Sequence, residues 1–102
     1  MKIFEMMDLQ SAYQHAQEGG QALHLHTLNQ GHRLFKRYPV IAHLLDQDVE
    51  RLRKTAKSLG VRVIKIEHEG TRKQHIDLCG KPLERARELA ERGVIGGNGD
   101  NR

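Results

Sequence analysis

Imidazole and carboxylate side chains alternate along a short segment late in the chain, and general acid/base catalysis and metal binding both use these groups. His75, Asp77 and Cys79 are each separated by one residue, and alternate positions of a strand share one face. Such neighbours stand ~6.6–7 Å apart, too far for a relaxed hydrogen bond but close enough to share a ligand or metal ion. His75 is therefore a candidate acid/base, with Asp77 as an orienting or metal-binding carboxylate. The alternative is a solvated sheet face on which His75 pairs with Glu67 and Asp77 with Lys65.

His24 and His26 have the same spacing and could bind a transition metal only with further ligands. The sequence contains no Cys-x-x-Cys, His-Glu-x-x-His or calcium-loop pattern, so the metal question stays open. The glycine pairs at 19–20 and 96–97 match no phosphate loop, and we expect no cofactor. Cys79 has no neighbour that clearly lowers its pKa and is more typical of a structural thiol. The further candidate ligands are His32, His43, His68, His75, Asp77 and Cys79.

Composition limits the class of protein. The 102 residues suffice for one small domain, with 37% hydrophobic residues, 4% aromatic residues and no Trp, which argues against aromatic platforms that stack on bases. A single cysteine forms no internal disulfide, and no apolar run is long enough to cross a membrane. We expect a cytoplasmic protein without membrane contact; edge strands would permit a homo-oligomer, which the sequence does not predict.

The net charge is +4, with the positive excess in residues 31–81 and on one face of a predicted helix. Such a field attracts phosphate groups, nucleic acid among them, although many small soluble proteins have a similar excess. The candidate phosphate-binding residues are Arg33, Lys36, Arg37, Arg51, Lys54, Arg72 and Lys73.

Hydrophobic periodicity predicts the elements that must position these groups. In the first half we expect a strand at Lys2–Met6, a helix from an Asp8 cap to Gly19-Gly20, a strand at Ala22–Leu28, a loop over 29–39 and a strand at Val40–Leu45.

In the second half, Asp46 or Asp48 caps a helix that ends at Gly60. Pro82 opens the last helix, which ends at Gly93. Its buried positions are Leu83, Ala86, Leu89 and Ala90. The globular domain is thus residues 1–93, and residues 94–102 form a disordered tail.

Between these helices, Val61–His68 and Gln74–Cys79 predict a β-hairpin. Pairing Ile66 with Ile76 also sets Ile64 opposite Leu78, which makes one continuous apolar face. The same register sets Glu67 opposite His75, Lys65 opposite Asp77 and Val63 opposite Cys79.

The order of elements from Ala42 to Arg92 resembles a family of small bacterial proteins, a domain of unknown function. The resemblance rests on His43-Leu44-Leu45-Asp46, the helix ending at Gly60, and His75-Ile76-Asp77-Leu78. Ile76 stands where the family usually has tyrosine, and the N-terminal portion is longer. The resemblance implies that the family's two histidines and its aspartate fall on His43, His75 and Asp77, which would then cluster.

These patterns predict a single two-layer domain of the α+β class, with α/β as the alternative: a small mixed sheet that includes the hairpin, and about three helices packed on one face. The charge favours a binding module for a phosphate-bearing partner such as nucleic acid. One alternative is a small hydrolase that uses His75, Asp77 and His43, with or without a metal ion; another is a protein–protein adaptor. The sequence does not decide whether the protein is an enzyme.

Overall fold

The computed structural model describes residues 1–27 and 40–96, and the predicted loop and the end of the predicted tail lie outside those ranges. Its strands are β1 (Lys2–Phe4), β2 (Ala22–Thr27), β3 (Val40–Leu45) and β4 (His75–Leu78). A 3₁₀ turn at Met6–Asp8 precedes helix α1 (Leu9–Gln17), and the chain continues with α2 (Val49–Ser58) and α3 (Gly80–Gly96).

The four strands form one mixed sheet in the order β1-β2-β3-β4. β1 and β2 are parallel, and the other two pairs are antiparallel. The register sets His24 opposite His43 and His43 opposite Asp77. The α+β class is confirmed, and the polar residues of three strands lie in one row across the sheet.

One face of the sheet packs against two helices. Leu23, Leu44 and Ile76 occupy matching positions on β2, β3 and β4 and are buried. They contact the buried stripes of α2 and α3, which include Leu52 and Ala86. This larger core holds β3 and β4 in register and turns the alternate residues of both strands to the other face.

Helix α1 lies on that other face, so the expectation that all three helices share one face is wrong for α1. Its residues Tyr13 and Ala16 pack on Phe4, Ala22 and Leu45, which alternate with the residues of the larger core. A parallel β1–β2 pair needs a crossover connection, and a helix in that connection covers the sheet face it crosses. Because α1 covers one end of this face, the other end is left for the histidines.

The predicted hairpin is also largely wrong, because β4 pairs with β3. Only Glu67 and His75 form the predicted cross-strand pair, as an isolated bridge with both main-chain hydrogen bonds, 2.8 and 3.1 Å. Ile64 and Ile66 pack against the larger core as predicted for their face, but without a ladder. Burial of these side chains accounts for the alternation that suggested a strand.

The ends of the helices follow local chemistry in most places. The Asp48 side chain accepts the N–H of Arg51 and caps α2, and Gly60 follows the helix with φ +91°, as predicted. Helix α3 begins at Gly80 rather than Pro82 and continues past Gly93, since one glycine costs a helix only about 1 kcal/mol. Leu89, predicted to be buried, is 44% exposed.

Candidate metal centre

His43, His75 and Asp77 converge at the end of the sheet face that α1 leaves uncovered. His43 and Asp77 are direct partners across β3 and β4. They form a non-hydrogen-bonded pair, because the main chain of His75 bonds outward to Glu67, and side chains in such pairs lie closer together. The rings of His43 and His75 have centroids 4.4 Å apart. The three residues that the sequence singled out therefore form one cluster.

The distances within the cluster suit a single metal ion. Asp77 Oδ1 lies 3.4 Å from His43 Nε2 and 3.2 Å from His75 Nε2, and the second distance is much shorter than strand spacing predicted. The three residues offer ligand atoms that all lie within 4.8 Å of one another. Tetrahedral zinc with nitrogen and oxygen ligands at ~2.0–2.1 Å has ligand atoms ~3.3 Å apart. Both histidine–aspartate separations match that value with little movement of the side chains.

The hydrogen bonding of His75 fixes which ring nitrogen faces the cluster. Its Nδ1 lies 2.6 Å from the carbonyl oxygen of Lys73. A carbonyl only accepts, so Nδ1 carries the hydrogen and Nε2 of the neutral ring presents a lone pair. That lone pair faces the Asp77 carboxylate, and two such acceptors at 3.2 Å require a proton or another cation between them. Histidines that bind metals usually make this kind of second hydrogen bond to a carbonyl.

His43 supplies a neutral imidazole. Burial lowers its pKa from 6.5 to about 4, helped by the neighbouring His75 and opposed by the Asp77 carboxylate. At neutral pH the ring is therefore uncharged and available as a ligand. The side chain of His75 is 11% exposed, that of His43 28% and that of Asp77 57%. The cluster is thus closed on the His75 side and open to solvent beside Asp77.

Further imidazoles surround the three central residues. The His26 ring stacks on His43 with centroids 5.9 Å apart, and the His68 ring stacks on His75 at 5.8 Å. His24 is buried, and its Nε2 donates to the carbonyl oxygen of Met6. Its Nδ1 has no hydrogen-bond partner among the described residues. The pair at 24 and 26 noted in the sequence therefore borders the cluster without joining it.

The candidate ligand Cys79 lies apart from this group, and so does one further histidine, His15. Cys79 is exposed and is not one of the three clustered ligands. His15, in the last turn of α1, packs beside Phe4, and burial together with the charge of Lys2 lowers its pKa. His32 lies outside the described residues. The sequence could not predict the hydrogen bond to the Lys73 carbonyl, because every residue has a main-chain carbonyl and residue type does not distinguish one from another.

The structure gives the predicted phosphate-binding residues different surroundings. Arg51 binds Asp46 through two 2.7 Å hydrogen bonds, and the guanidinium of Arg72 lies over the ring of Tyr13. Arg51 is therefore occupied within the protein, while phosphate binding by the others stays a prediction that salt dependence of binding would test. Lys54 and Lys73 are exposed, and Arg33, Lys36 and Arg37 lie outside the described residues.

No family model, curated protein or solved structure matches the chain. The resemblance of residues 42–92 to a bacterial family is thus neither supported nor contradicted. Among the described residues no helix is both long and apolar enough to cross a membrane.

Proposed function

We propose that the protein binds one divalent transition-metal ion of the zinc type through His43, His75 and Asp77. The observation that carries the proposal is the approach of His75 Nε2 to Asp77 Oδ1, 3.2 Å, while the other ring nitrogen is held by the Lys73 carbonyl. A shared cation satisfies both electron-pair donors at once. The competing arrangement is an ion pair in which His75 is protonated, and it would need no metal.

The donor set favours zinc over calcium or magnesium. Two imidazole nitrogens and one carboxylate oxygen are typical of catalytic zinc sites, whereas calcium and magnesium prefer oxygen ligands throughout. Three protein ligands leave a fourth position, and the exposed side of the cluster beside Asp77 supplies room for it.

The chemistry that such an ion supplies is activation of water. Zinc lowers the pKa of a bound water to about 7, so that hydroxide becomes available as a nucleophile at neutral pH. In this chain His43, His75 and Asp77 would hold the ion, and the Asp77 carboxylate would also balance part of its charge. We propose metal-assisted hydrolysis as the reaction class.

Zinc titration of the metal-free full-length protein by calorimetry tests the proposal. We expect one saturable site per chain, lost in His43→Gln and in His75→Gln. His15→Gln is the matched control, because it removes an imidazole of α1 that packs beside Phe4, outside the cluster. Circular dichroism of each variant verifies that it folds.

Equal zinc affinity in the wild type and in both cluster variants would overturn the proposal. So would absence of saturable binding, since it leaves the protonated His75–Asp77 pair as the explanation. Hydrolysis of an activated ester by the zinc-loaded protein, compared with free zinc and with His75→Gln, then tests the reaction class.

A further inference from the structure

Within the described part of the chain, the outer edge of β4 has main-chain groups without a partner. The main chain of His75 bonds outward to Glu67, and alternation along a strand makes the N–H and C=O of Asp77 point the same way. Neither group of Asp77 has a main-chain partner among the described residues. An edge of this kind is a template onto which another extended chain can pair.

A cavity of about 330 Å³ lies along this part of the edge. Its apolar walls are Val61, Val63, Leu78 and Pro82. That volume is within the range of ligand pockets and is large enough for one aliphatic side chain with its main chain. Sequence periodicity pairs Val61–His68 with β4, but at the cavity this segment is separated from the strand, and Val63 is 84% exposed.

The charges around the cavity indicate what a ligand should carry. Two charged residues, Arg62 and Asp77, line it. The Asp77 carboxylate is turned toward His43 and His75, whereas Arg62 has no ion pair among the residues that the structure describes. A guanidinium beside an apolar cavity suits a carboxylate attached to an apolar group. The end of a peptide combines a carboxylate, an apolar side chain and main-chain groups for the edge of a strand.

We propose that the β4 edge binds an extended peptide by strand addition. The peptide's last, apolar side chain fills the cavity, and its free C-terminal carboxylate pairs with Arg62. The proposal goes beyond metal binding and does not depend on it, because the edge and the cavity are formed by the protein alone. Asp77 belongs to both sites, and a peptide bound here passes beside the proposed metal ion.

The test uses the metal-free full-length protein and amide NMR. The probes are acetyl-Ala-Val-Leu with a free carboxylate and the same peptide as an amide. We expect the free acid to shift the Asp77 amide saturably and to slow its hydrogen exchange. We expect the amidated peptide to bind about tenfold more weakly, the value of one charge-assisted interaction. Arg62→Gln should lose the difference between the peptides, and Arg53→Gln, an exposed arginine on α2, should retain it.

Two results would overturn the proposal. Equal affinity for the acid and the amide in the wild type would exclude carboxylate recognition by Arg62. Strong protection of the Asp77 amide in the free protein would show that residues 62–66 already pair with β4 in solution. Because zinc is absent throughout, neither result bears on the metal site, and failure of zinc binding does not affect this test.

Discussion

The Lys73 carbonyl accepts a 2.6 Å hydrogen bond from His75 Nδ1, and in doing so it turns the opposite nitrogen of that ring toward Asp77. A strand residue thereby receives its ring orientation from the main chain two residues earlier. His43 lies in register with Asp77 across the sheet. The hydrogen bond therefore turns His75 toward a group of candidate ligands that come from two strands.

Replacing Asp77 by Asn should weaken zinc binding more than it weakens the fold. The amide keeps the shape and an oxygen donor but removes the negative charge, and Asp77 is more than half exposed. We expect affinity to fall by at least ~10–100-fold, the range seen when even supporting residues of metal sites are lost. Competition between the protein and a chelator for Co²⁺, followed by visible absorption, measures it. An unchanged affinity would remove Asp77 from the site.

The pKa of His43 predicts how the metal-free protein responds to acid. The pKa is about 4 in the fold and near 6.5 for a free imidazole, so the unfolded chain binds the proton more readily between these values. Stability should therefore decrease as pH falls from about 6.5 to about 4. The midpoint of urea unfolding across this range measures the decrease, and His43→Gln should flatten it. If the urea midpoint falls equally with pH in the wild type and in His43→Gln, His43 is not the source of the pH dependence.

Arg51 should matter for stability even though it lies partly at the surface. Asp46 is fully buried, and its carboxylate accepts from Arg51, from Gln21 and from the N–H of Asp48. Burial raises the pKa of Asp46, but these hydrogen bonds outweigh it and hold the pKa below its usual value. Arg51→Gln leaves the carboxylate without its cation, at a cost of about 3 kcal/mol.

Chemical denaturation of Arg51→Gln checks this value. Arg53→Gln, exposed on the same helix, is the control and should change stability by less than about 0.5 kcal/mol. If both variants unfold at the same urea concentration, the buried pair contributes no more than a surface charge.

Two glycines separate the effect of backbone conformation from that of contact. Gly60 and Gly19 have φ of +91° and +100°, so alanine at either position costs roughly 1–2 kcal/mol. A Cβ at Gly60 would also displace the flexible end of Arg85 and break its hydrogen bond to the Leu59 carbonyl, whereas a Cβ at Gly19 meets nothing. Thermal unfolding should therefore show a larger loss for Gly60→Ala than for Gly19→Ala. The reverse order would contradict the packing of α3 on this turn.

Local patterns in the sequence predicted much of the fold because local physics decides those parts. The short apolar run of β3 and the cap residues of α2 are enough to predict these two elements from the local sequence. The hairpin failed because alternation reports which side chains are buried, and Ile64 and Ile66 are buried without a strand ladder. The side of the sheet that α1 covers depends on contacts with Phe4 and Leu45, which no pattern within α1 encodes.

The candidate site was predicted in part and for two different reasons. Alternation placed His75 and Asp77 on one face. His43 was one of several candidate ligands, and only the family resemblance set it apart from the others. The pairing of β3 with β4 brings it to Asp77, and long-range pairing is not readable from spacing. Arg51 was a candidate phosphate-binding residue because it lies on a basic helix face. The sequence could not show that its guanidinium forms an ion pair with Asp46.

X-ray absorption at the zinc edge, on protein loaded with one equivalent of zinc, tests whether His43, His75 and Asp77 bind the ion. We expect a nearest shell of nitrogen and oxygen at ~2.0–2.1 Å, with outer scattering from two imidazole rings. A sulfur shell at ~2.3 Å would place the ion at Cys79. That result, or oxygen neighbours without imidazole scattering, would contradict a metal centre formed by His43, His75 and Asp77.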